Sequence, residues 1–166
     1  MVAPLESTAQ QNAEAATAAG QAPRQRRLAL LARAPRERLE AAHAACGVAG
    51  DYDCLKAAGT GLALLRARAG GKGQRFNAGE VTVTRCVVTL KANGGLGVAY
   101  IAGRDRRKAE LAAALDALSQ MPGHAEKLEA SLFQPLEQEL NEQRALRAAK
   151  VAATKVDFFT LVRGGD

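Results

Sequence analysis

The sequence predicts an α+β fold, in which an antiparallel sheet of three or four strands packs against N-terminal, central and C-terminal helices. Three observations support this class. Residues 80–90 are rich in valine and threonine, and β-branched residues favour a pleated strand. The turn Asn93-Gly94-Gly95 follows and leads into a second apolar segment, as in a β-hairpin. Apolar residues at helical spacing then cover 109–118.

One domain is expected over residues 24–166, preceded by a tail over residues 1–23. The 166 residues suit a single domain with a modest core. The tail is rich in alanine and glutamine and has almost no large apolar side chain. Burial therefore cannot offset the entropy lost on ordering it, and we expect this tail to be disordered.

The chain is expected to be cytoplasmic and to have no membrane partner. No apolar run approaches the roughly 20 residues that span a bilayer, and residues 1–25 lack a basic start followed by an apolar stretch. Cys46, Cys54 and Cys86 are odd in number, and their spacing fits neither a zinc site nor a redox pair. We expect reduced thiols and no metal site.

Two short helices separated near Pro35 are predicted for residues 24–45. Leucines and arginines are spaced so that the leucines face inward and the arginines outward. An arginine face of this kind is typical of solvated surface, and a specific anionic partner is the alternative.

Three strands follow, over residues 60–68, 80–90 and 97–102. The first alternates well enough for a strand, and a glycine-rich loop over 70–75 separates it from the second. Because the connecting loops are too short for a parallel crossover, the strands must pair antiparallel.

The remaining chain is predicted to be helical up to about residue 154 and to end in a strand or docking arm. Asp105 is a candidate N-cap, since its carboxylate can accept the free N–H groups of a first turn. A second helical stretch begins near His124, and Pro135 starts a new helix within it, because proline fits the first turn. Residues 155–163 are apolar, β-branched and aromatic, which predicts a C-terminal strand or docking arm.

The glycine loop resembles a phosphate cradle. Gly71 and Gly73 flank Lys72, and Arg75 adds a second charge. A P-loop, however, needs Ser or Thr after the lysine to bind magnesium, and Gly73 stands there. A tight inter-strand turn is the favoured reading, and an anion site stays open as the alternative.

No catalytic grouping is apparent. His43 and His124 lie on different predicted helices without a neighbouring nucleophile pattern. The carboxylates of the central helix are explained by capping at Asp105 and by pairing of Glu110 with Arg106. We therefore expect no catalytic residue and no bound cofactor or metal in this chain.

Nucleic-acid binding is the general alternative for a basic chain. The net charge is +6 and the pI is about 9.6, as in many nucleic-acid-binding proteins. Single-strand modules present aromatic rings on a sheet, and Tyr100 is the only aromatic residue placed on the predicted strands. A basic nucleic-acid-binding module therefore remains the alternative hypothesis.

Several segments together resemble one known family. They are Thr60–Leu62 with Ala67–Cys86, then Gly103-Arg104-Asp105, then Lys155–Gly164. In order and spacing they are similar to the PhnG family, a subunit of the bacterial carbon–phosphorus lyase core complex. The resemblance extends over roughly residues 24–166. Lys108 and Gly59 depart from the family pattern, which has histidine and a polar or acidic residue at these places.

The resemblance implies a non-catalytic subunit of phosphonate catabolism. In the family's system, the G, H, I and L proteins couple methylphosphonate to the ribose C1 of ATP and release adenine. The product is α-D-ribose 1-methylphosphonate 5-triphosphate. The complex uses ATP and magnesium, with S-adenosylmethionine and an iron–sulfur cluster on the J subunit. The implied partners are PhnI, PhnH and PhnJ, a second copy of this chain, and transient ATP-binding subunits, with no nucleic acid.

Ten residues within the resembling segments are candidates for an interface or for contact with a ligand. They are Gly71, Gly73, Arg75, Arg85, Arg104, Asp105, Asp157, Phe158, Phe159 and Arg163. The four arginines have two possible roles, either ion pairs and interface hydrogen bonds or contact with a nucleoside triphosphate in one cleft. The adjacent phenylalanines would point to opposite faces of a strand, so we expect one on the domain's own core and the other on a partner.

Overall fold

The computed structural model describes residues 22–47 and 51–154. Over these residues the chain forms five helices and three strands, which confirms the α+β class. The elements are α1 (22–33), α2 (Arg36–Ala45), β1 (Tyr52–Arg68), β2 (Arg75–Leu90), β3 (Leu96–Ala102), α3 (Arg106–Leu118), α4 (Pro122–Leu128) and α5 (Gln134–Ala153). A 3-10 turn over Ala69–Gly71 follows β1, and a π-helical turn over Glu129–Phe133 joins α4 to α5.

The strands form one antiparallel sheet in the order β1-β2-β3. Side chains on alternate residues of a strand point to opposite faces. On β2 one face is buried from Thr84 to Leu90 at every second residue, while Arg85 on the other face is exposed. The second half of β2 therefore contributes to the core together with Ala99 and Ile101 of β3.

Helix α3 covers the buried face of the sheet. All its residues from Leu111 to Leu118 are buried. Its alanines allow a close approach at Gly97 of β3, where an added Cβ would lie 2.8 Å from both the backbone nitrogen and the Cβ of Ala117. The abundance of alanine thus serves tight packing between helix and sheet.

The other helices complete the core around α3. Leu31 of α1 and Leu39 of α2 are buried, as are Phe133 and Leu136 at the start of α5. The predicted break between α1 and α2 is confirmed at Pro35, and Pro135 lies in the first turn of α5 as expected. No helix within the described residues combines the length and apolar character that crossing a bilayer requires.

Strands β1 and β2 extend well beyond the rest of the sheet. The last pair between β2 and β3 joins Val83 to Ala102, whereas the β1–β2 ladder continues to Arg68 and Arg75. We call residues 61–82 beyond this point the hairpin arm. The eight arm residues of β2 correspond to about 26 Å of strand.

Helix α5 also projects from the body. Leu136 is buried and Leu140 packs partly against the core, but every residue from 141 to 154 is exposed. Leu146 and Val151 are each 65% exposed. The second half of this helix therefore makes no packed contact among the described residues.

Several sequence expectations need correction. The first strand begins at Tyr52 and the second at Arg75, so both are longer than predicted. Register irregularities near Lys56 interrupt the alternation of inward and outward residues along β1. The sequence pattern therefore did not indicate where the first strand begins. Tyr52 and Phe76 join Tyr100 as aromatic residues of the sheet.

The chain ends fall partly outside the described residues. The predicted C-terminal strand or docking arm over 155–163 lies there, as does the tail up to residue 21. Residues 22 and 23, which were assigned to the tail, are in α1. Within the described residues the sheet has three strands.

Candidate functional site

Four of the six arginines in α1 and α2 pair with carboxylates of this same chain. Arg26 donates to Glu129 at 2.9 Å and to Glu137 at 2.5 Å, joining α1 to the π-helical turn and to the start of α5. Arg38 donates to Glu139 at 2.6 Å. The sequence predicted that these arginines face solvent or bind an external anion. In the structure, several of them instead form ion pairs that hold helices together.

A buried ion pair fixes α1 against α3 and the sheet. The side chain of Asp116 is fully buried and accepts from Arg24 Nη2 at 2.7 Å and Nε at 3.2 Å. The same carboxylate accepts from the backbone N–H of Val98 at 3.0 Å. The hydrogen bond from Arg24 to Asp116 raises the pKa of the guanidinium, although partial burial opposes this. These partners account for the carboxylate without a ligand.

His43, Tyr52 and Glu110 form a second polar cluster. The His43 ring packs edge-on against Tyr52 with centroids 5.8 Å apart, and the Tyr52 hydroxyl donates to Glu110 Oε1 at 2.8 Å. Burial, assisted by Glu110, raises the pKa of Tyr52 to about 12. Burial and nearby Arg107 lower the pKa of His43. Glu110 pairs with Arg107 at 3.3 Å, so the predicted pairing with Arg106 is wrong.

Nothing in the described residues forms a metal site. No three side chains among His, Cys, Asp and Glu come together there in a way that would bind an ion. Burial raises the pKa of Cys46 and brings that of Cys86 to about 11. Both thiols are therefore poor nucleophiles at neutral pH.

An apolar cavity between α1 and β3 is unsuited to a nucleotide. It has a volume of about 310 Å³, and Leu28, Ala32 and Tyr100 contribute to its wall. None of the residues that line it carries a charge. A triphosphate needs cationic or N–H-rich surroundings, so this cavity does not supply a phosphate site.

The glycine loop is the turn of the hairpin arm. Gly71 ends the 3-10 turn, and the N–H of Gly73 donates to the carbonyl of Ala69 at 2.9 Å. An added Cβ on Gly73 would lie 2.7 Å from that carbonyl oxygen. Arg75 begins β2 opposite Arg68. The favoured reading of a tight inter-strand turn is confirmed, and the glycine at position 73 is explained by the close backbone approach.

The other described candidates lie nearer the body of the sheet. Arg85 pairs across the sheet with Tyr100, and the two border an open cavity of about 270 Å³. Arg104 is exposed in the loop after β3. Asp105 caps α3 by accepting from the backbone N–H of Lys108 at 2.9 Å, as predicted. Lys108 itself donates from Nζ to the carbonyl of Ala32 at 3.1 Å, which links α3 to α1.

The arginine candidates do not gather in one place. Arg75 and Arg85 are ten positions apart on one strand, which corresponds to roughly 33 Å. Arg75 therefore lies at the tip of the arm and Arg85 in the three-stranded part of the sheet, and the two cannot bind the same triphosphate within this chain. Asp157, Phe158, Phe159 and Arg163 lie outside the described residues.

Sequence reasoning missed the exposed apolar surface of the hairpin arm. Leu62 is 67% exposed and Leu64 is 55% exposed, although both lie in an apolar strand. Leu65 and Phe76 are also about half exposed. A detectable signal was present, since apolar residues occupy both faces of residues 61–67 while the facing strand supplies polar residues such as Asn77 and Glu80.

Two comparisons with known proteins agree. Residues 22–164 match the family described as "Phosphonate metabolism protein PhnG". A relative from Rhizobium meliloti (strain 1021), named alpha-D-ribose 1-methylphosphonate 5-triphosphate synthase subunit PhnG, is 39% identical over 148 residues. That alignment covers 89% of this chain and 94% of the relative. The match therefore extends over the hairpin arm, the helical layer and most of the C-terminal segment, and the chain belongs to the PhnG family.

Proposed function

We propose that this chain is a non-catalytic subunit of the phosphonate carbon–phosphorus lyase system. Together with the H, I and L subunits it would form α-D-ribose 1-methylphosphonate 5-triphosphate from ATP and methylphosphonate. The observation that carries the proposal is the 39% identity, over nearly the whole length of both chains, to a relative named as a subunit of that synthase.

The chemistry of the described residues supports a non-catalytic role. They contain no cluster of metal ligands, and the largely buried His43 pairs with an aromatic ring and not with a nucleophile. The central carboxylates Asp105 and Asp116 accept from groups of this chain. Replacing adenine at the ribose C1 requires groups that position ATP and the phosphonate, and we assign these to other subunits.

The cofactors of the reaction belong to the assembly as a whole. ATP and magnesium would be bound by partner subunits, and S-adenosylmethionine and the iron–sulfur cluster by the J subunit. Within the described residues no group of three or more side chains among His, Cys, Asp and Glu could hold a metal ion, as the thiolates of an iron–sulfur cluster would have to. The proposed partners are the PhnI, PhnH and PhnJ subunits, and the proposed location is the cytoplasm.

A reconstitution tests this function. The purified H, I and L proteins are incubated with ATP and methylphosphonate, with and without this chain, and adenine release and the phosphorus NMR spectrum are measured. We expect product only when the chain is present, and none from the chain alone. Equal turnover without the chain would contradict the proposal.

The arginine candidates can be tested in the same assay. Arg104 is exposed in the loop before α3, and Arg106, also exposed, provides a matched control. Loss of turnover by Arg104→Ala with intact assembly would indicate contact with a ligand, whereas loss of assembly would indicate an interface. Arg106→Ala should preserve both turnover and assembly.

A further inference from the structure

The hairpin arm is a ribbon of two strands without a covering layer. β3 pairs with β2 only between Val83 and Thr89, and α3 packs on the body of the sheet. All arm residues from Arg75 to Glu80 are exposed, and Leu62, Leu64 and Leu65 each expose more than half of their surface. An isolated two-stranded ribbon is only marginally stable in water, so this arm gains most from a partner that buries it.

The pairing within the arm defines two different faces. The ladder joins Leu65 to Gly79 and then Arg66 to Asn77, so the extra residue is on β2 and the alternation along β1 is unbroken. Leu62 and Leu64 therefore share a face with Arg66 and Arg68. We call this the Leu–Arg face. It presents an apolar patch of Leu62 and Leu64, with Thr82 and Glu80 opposite them, toward the body and a basic patch of Arg66, Arg68 and Arg75 toward the tip.

The basic patch lacks a counter-charge on its own face near the tip. Arg68 lies directly opposite Arg75, and like charges at opposed positions destabilise a strand pair. The arm carries Arg66, Arg68, Lys72 and Arg75 against one acidic residue, Glu80, which lies opposite Leu64. Carboxylates supplied from outside would relieve this repulsion.

From this geometry we propose that the Leu–Arg face docks on a partner protein whose apolar surface is bordered by carboxylates. Leu62 and Leu64 become buried, and Arg66, Arg68 and Arg75 pair with the acidic border. The inference rests on the proposed function for the identity of the partner as another subunit of the synthase. It adds which part of this chain makes the contact and the chemistry that the partner must present.

Two other occupants fit less well. In a symmetric dimer centred on this face, the basic patch of one copy would lie against the leucine end of the other, where Glu80 is the only carboxylate available for three arginines. A nucleic acid would satisfy the arginines, but aliphatic Leu62 and Leu64 offer no stacking surface for bases. Buried leucines next to paired arginines are instead typical of protein interfaces.

The test compares full-length variants co-expressed with the H, I and J subunits. Leu62→Ser/Leu64→Ser removes the apolar patch, and Arg68→Glu/Arg75→Glu reverses the basic patch. Leu55→Ser is the matched control for the first, because Leu55 is 62% exposed on the body half of β1. Lys127→Glu, at an exposed site on α4, is the control for the second.

A trimmed variant checks the arm as a whole. Ala63 and Val81 are paired across the ladder, so residues 64–80 can be replaced by an Asn-Gly turn, which suits a two-residue hairpin loop. Circular dichroism and thermal unfolding of each purified variant establish that the body remains folded. Affinity purification and native mass spectrometry then measure assembly.

We expect the arm variants to remain folded and to bind the co-expressed subunits about tenfold or more weakly, as for central interface residues, while both controls assemble normally. If the wild-type chain assembles with the other subunits and every arm variant assembles equally well, the inference is overturned and the proposed function stands. Recovery of the wild-type chain alone would contradict the proposed function and the partner together. Salt-sensitive retention on a 30-nucleotide single-stranded DNA, lost only in the arm variants, would overturn the inference in favour of nucleic-acid binding.

Discussion

Replacing Arg24 with methionine should destabilise the fold more than removing any surface arginine. Arg24 supplies two hydrogen bonds to the fully buried carboxylate of Asp116, and its Nη2 also donates to the carbonyl of Leu96 at 3.2 Å. After the substitution, the carboxylate would retain only the N–H of Val98 as a donor. A buried charge would then be left without its counter-charge.

The size of the effect follows from the burial of the two partners. Removing one member of a fully buried ion pair costs about 3–5 kcal/mol. The Arg24 side chain is 33% exposed, so water can enter the vacated space and reduce this cost. We expect a loss of about 2–3 kcal/mol in the free energy of unfolding, which lowers Tm by roughly 5–10 °C for a chain of this size.

The assay is urea and thermal unfolding of the full chain, with Arg38→Met as the control. Arg38 Nη2 and Glu139 Oε1 lie only 2.6 Å apart, but the two side chains are 43% and 51% exposed. Such a surface pair is worth less than about 1 kcal/mol. Adding Asp116→Asn to Arg24→Met should recover stability, because a neutral amide can still accept from Val98. Equal stability of Arg24→Met and Arg38→Met would refute the reasoning.

Three further predictions concern the body of the domain. Gly97→Ala should cost at least about 2 kcal/mol in thermal unfolding, since the added methyl would collide with the backbone of α3 at Ala113; a wild-type Tm would contradict the packing described. Asp105→Ala should cost about 1 kcal/mol through the lost N-cap, whereas Asp105→Asn should retain most of the stability; equal losses would argue against capping. Burial lowers the pKa of His43 below its ordinary 6.5, so protonation favours the unfolded state and stability falls as the pH drops below 6.5. His43→Phe keeps a ring against Tyr52 and should flatten this slope in urea titrations at each pH; an unchanged slope would exclude His43 as its source.

Local signals predicted much of the fold. Pro35 and Pro135 marked helix boundaries because proline restricts the backbone wherever it occurs. Asp105 marked the start of α3 because a cap requires only its own side chain and the next turn. The valine- and threonine-rich run over residues 80–90 marked the central strand, because β-branched side chains favour an extended backbone.

Contacts between distant segments were not predictable in this way. Arg24 and Asp116 are far apart in sequence, and their pairing depends on how α1 packs over α3. The extent of the hairpin arm depends on where β3 ends. The sequences of β1 and β2 do not indicate this position. The exposure of Leu62 likewise follows from the absence of a helix above the arm among the described residues, and the alternation that predicted the first strand carries no information on what covers it.

The candidate site shows the same division. The turn at Gly71 and Gly73 was predicted because the close approach to Ala69 is local. The separation of Arg75 from Arg85 along β2 was not considered, because the second strand was expected to begin at residue 80. Because β2 begins at Arg75, the residues that were considered for a phosphate site form part of an extended basic arm.

Native mass spectrometry of the full chain co-expressed with the H, I and J subunits tests the central claim most directly. The account predicts a defined multi-subunit assembly that contains this chain and weakens when Leu62 and Leu64 are replaced by serine. Recovery of the folded chain alone, with the other subunits assembled without it, would contradict the account.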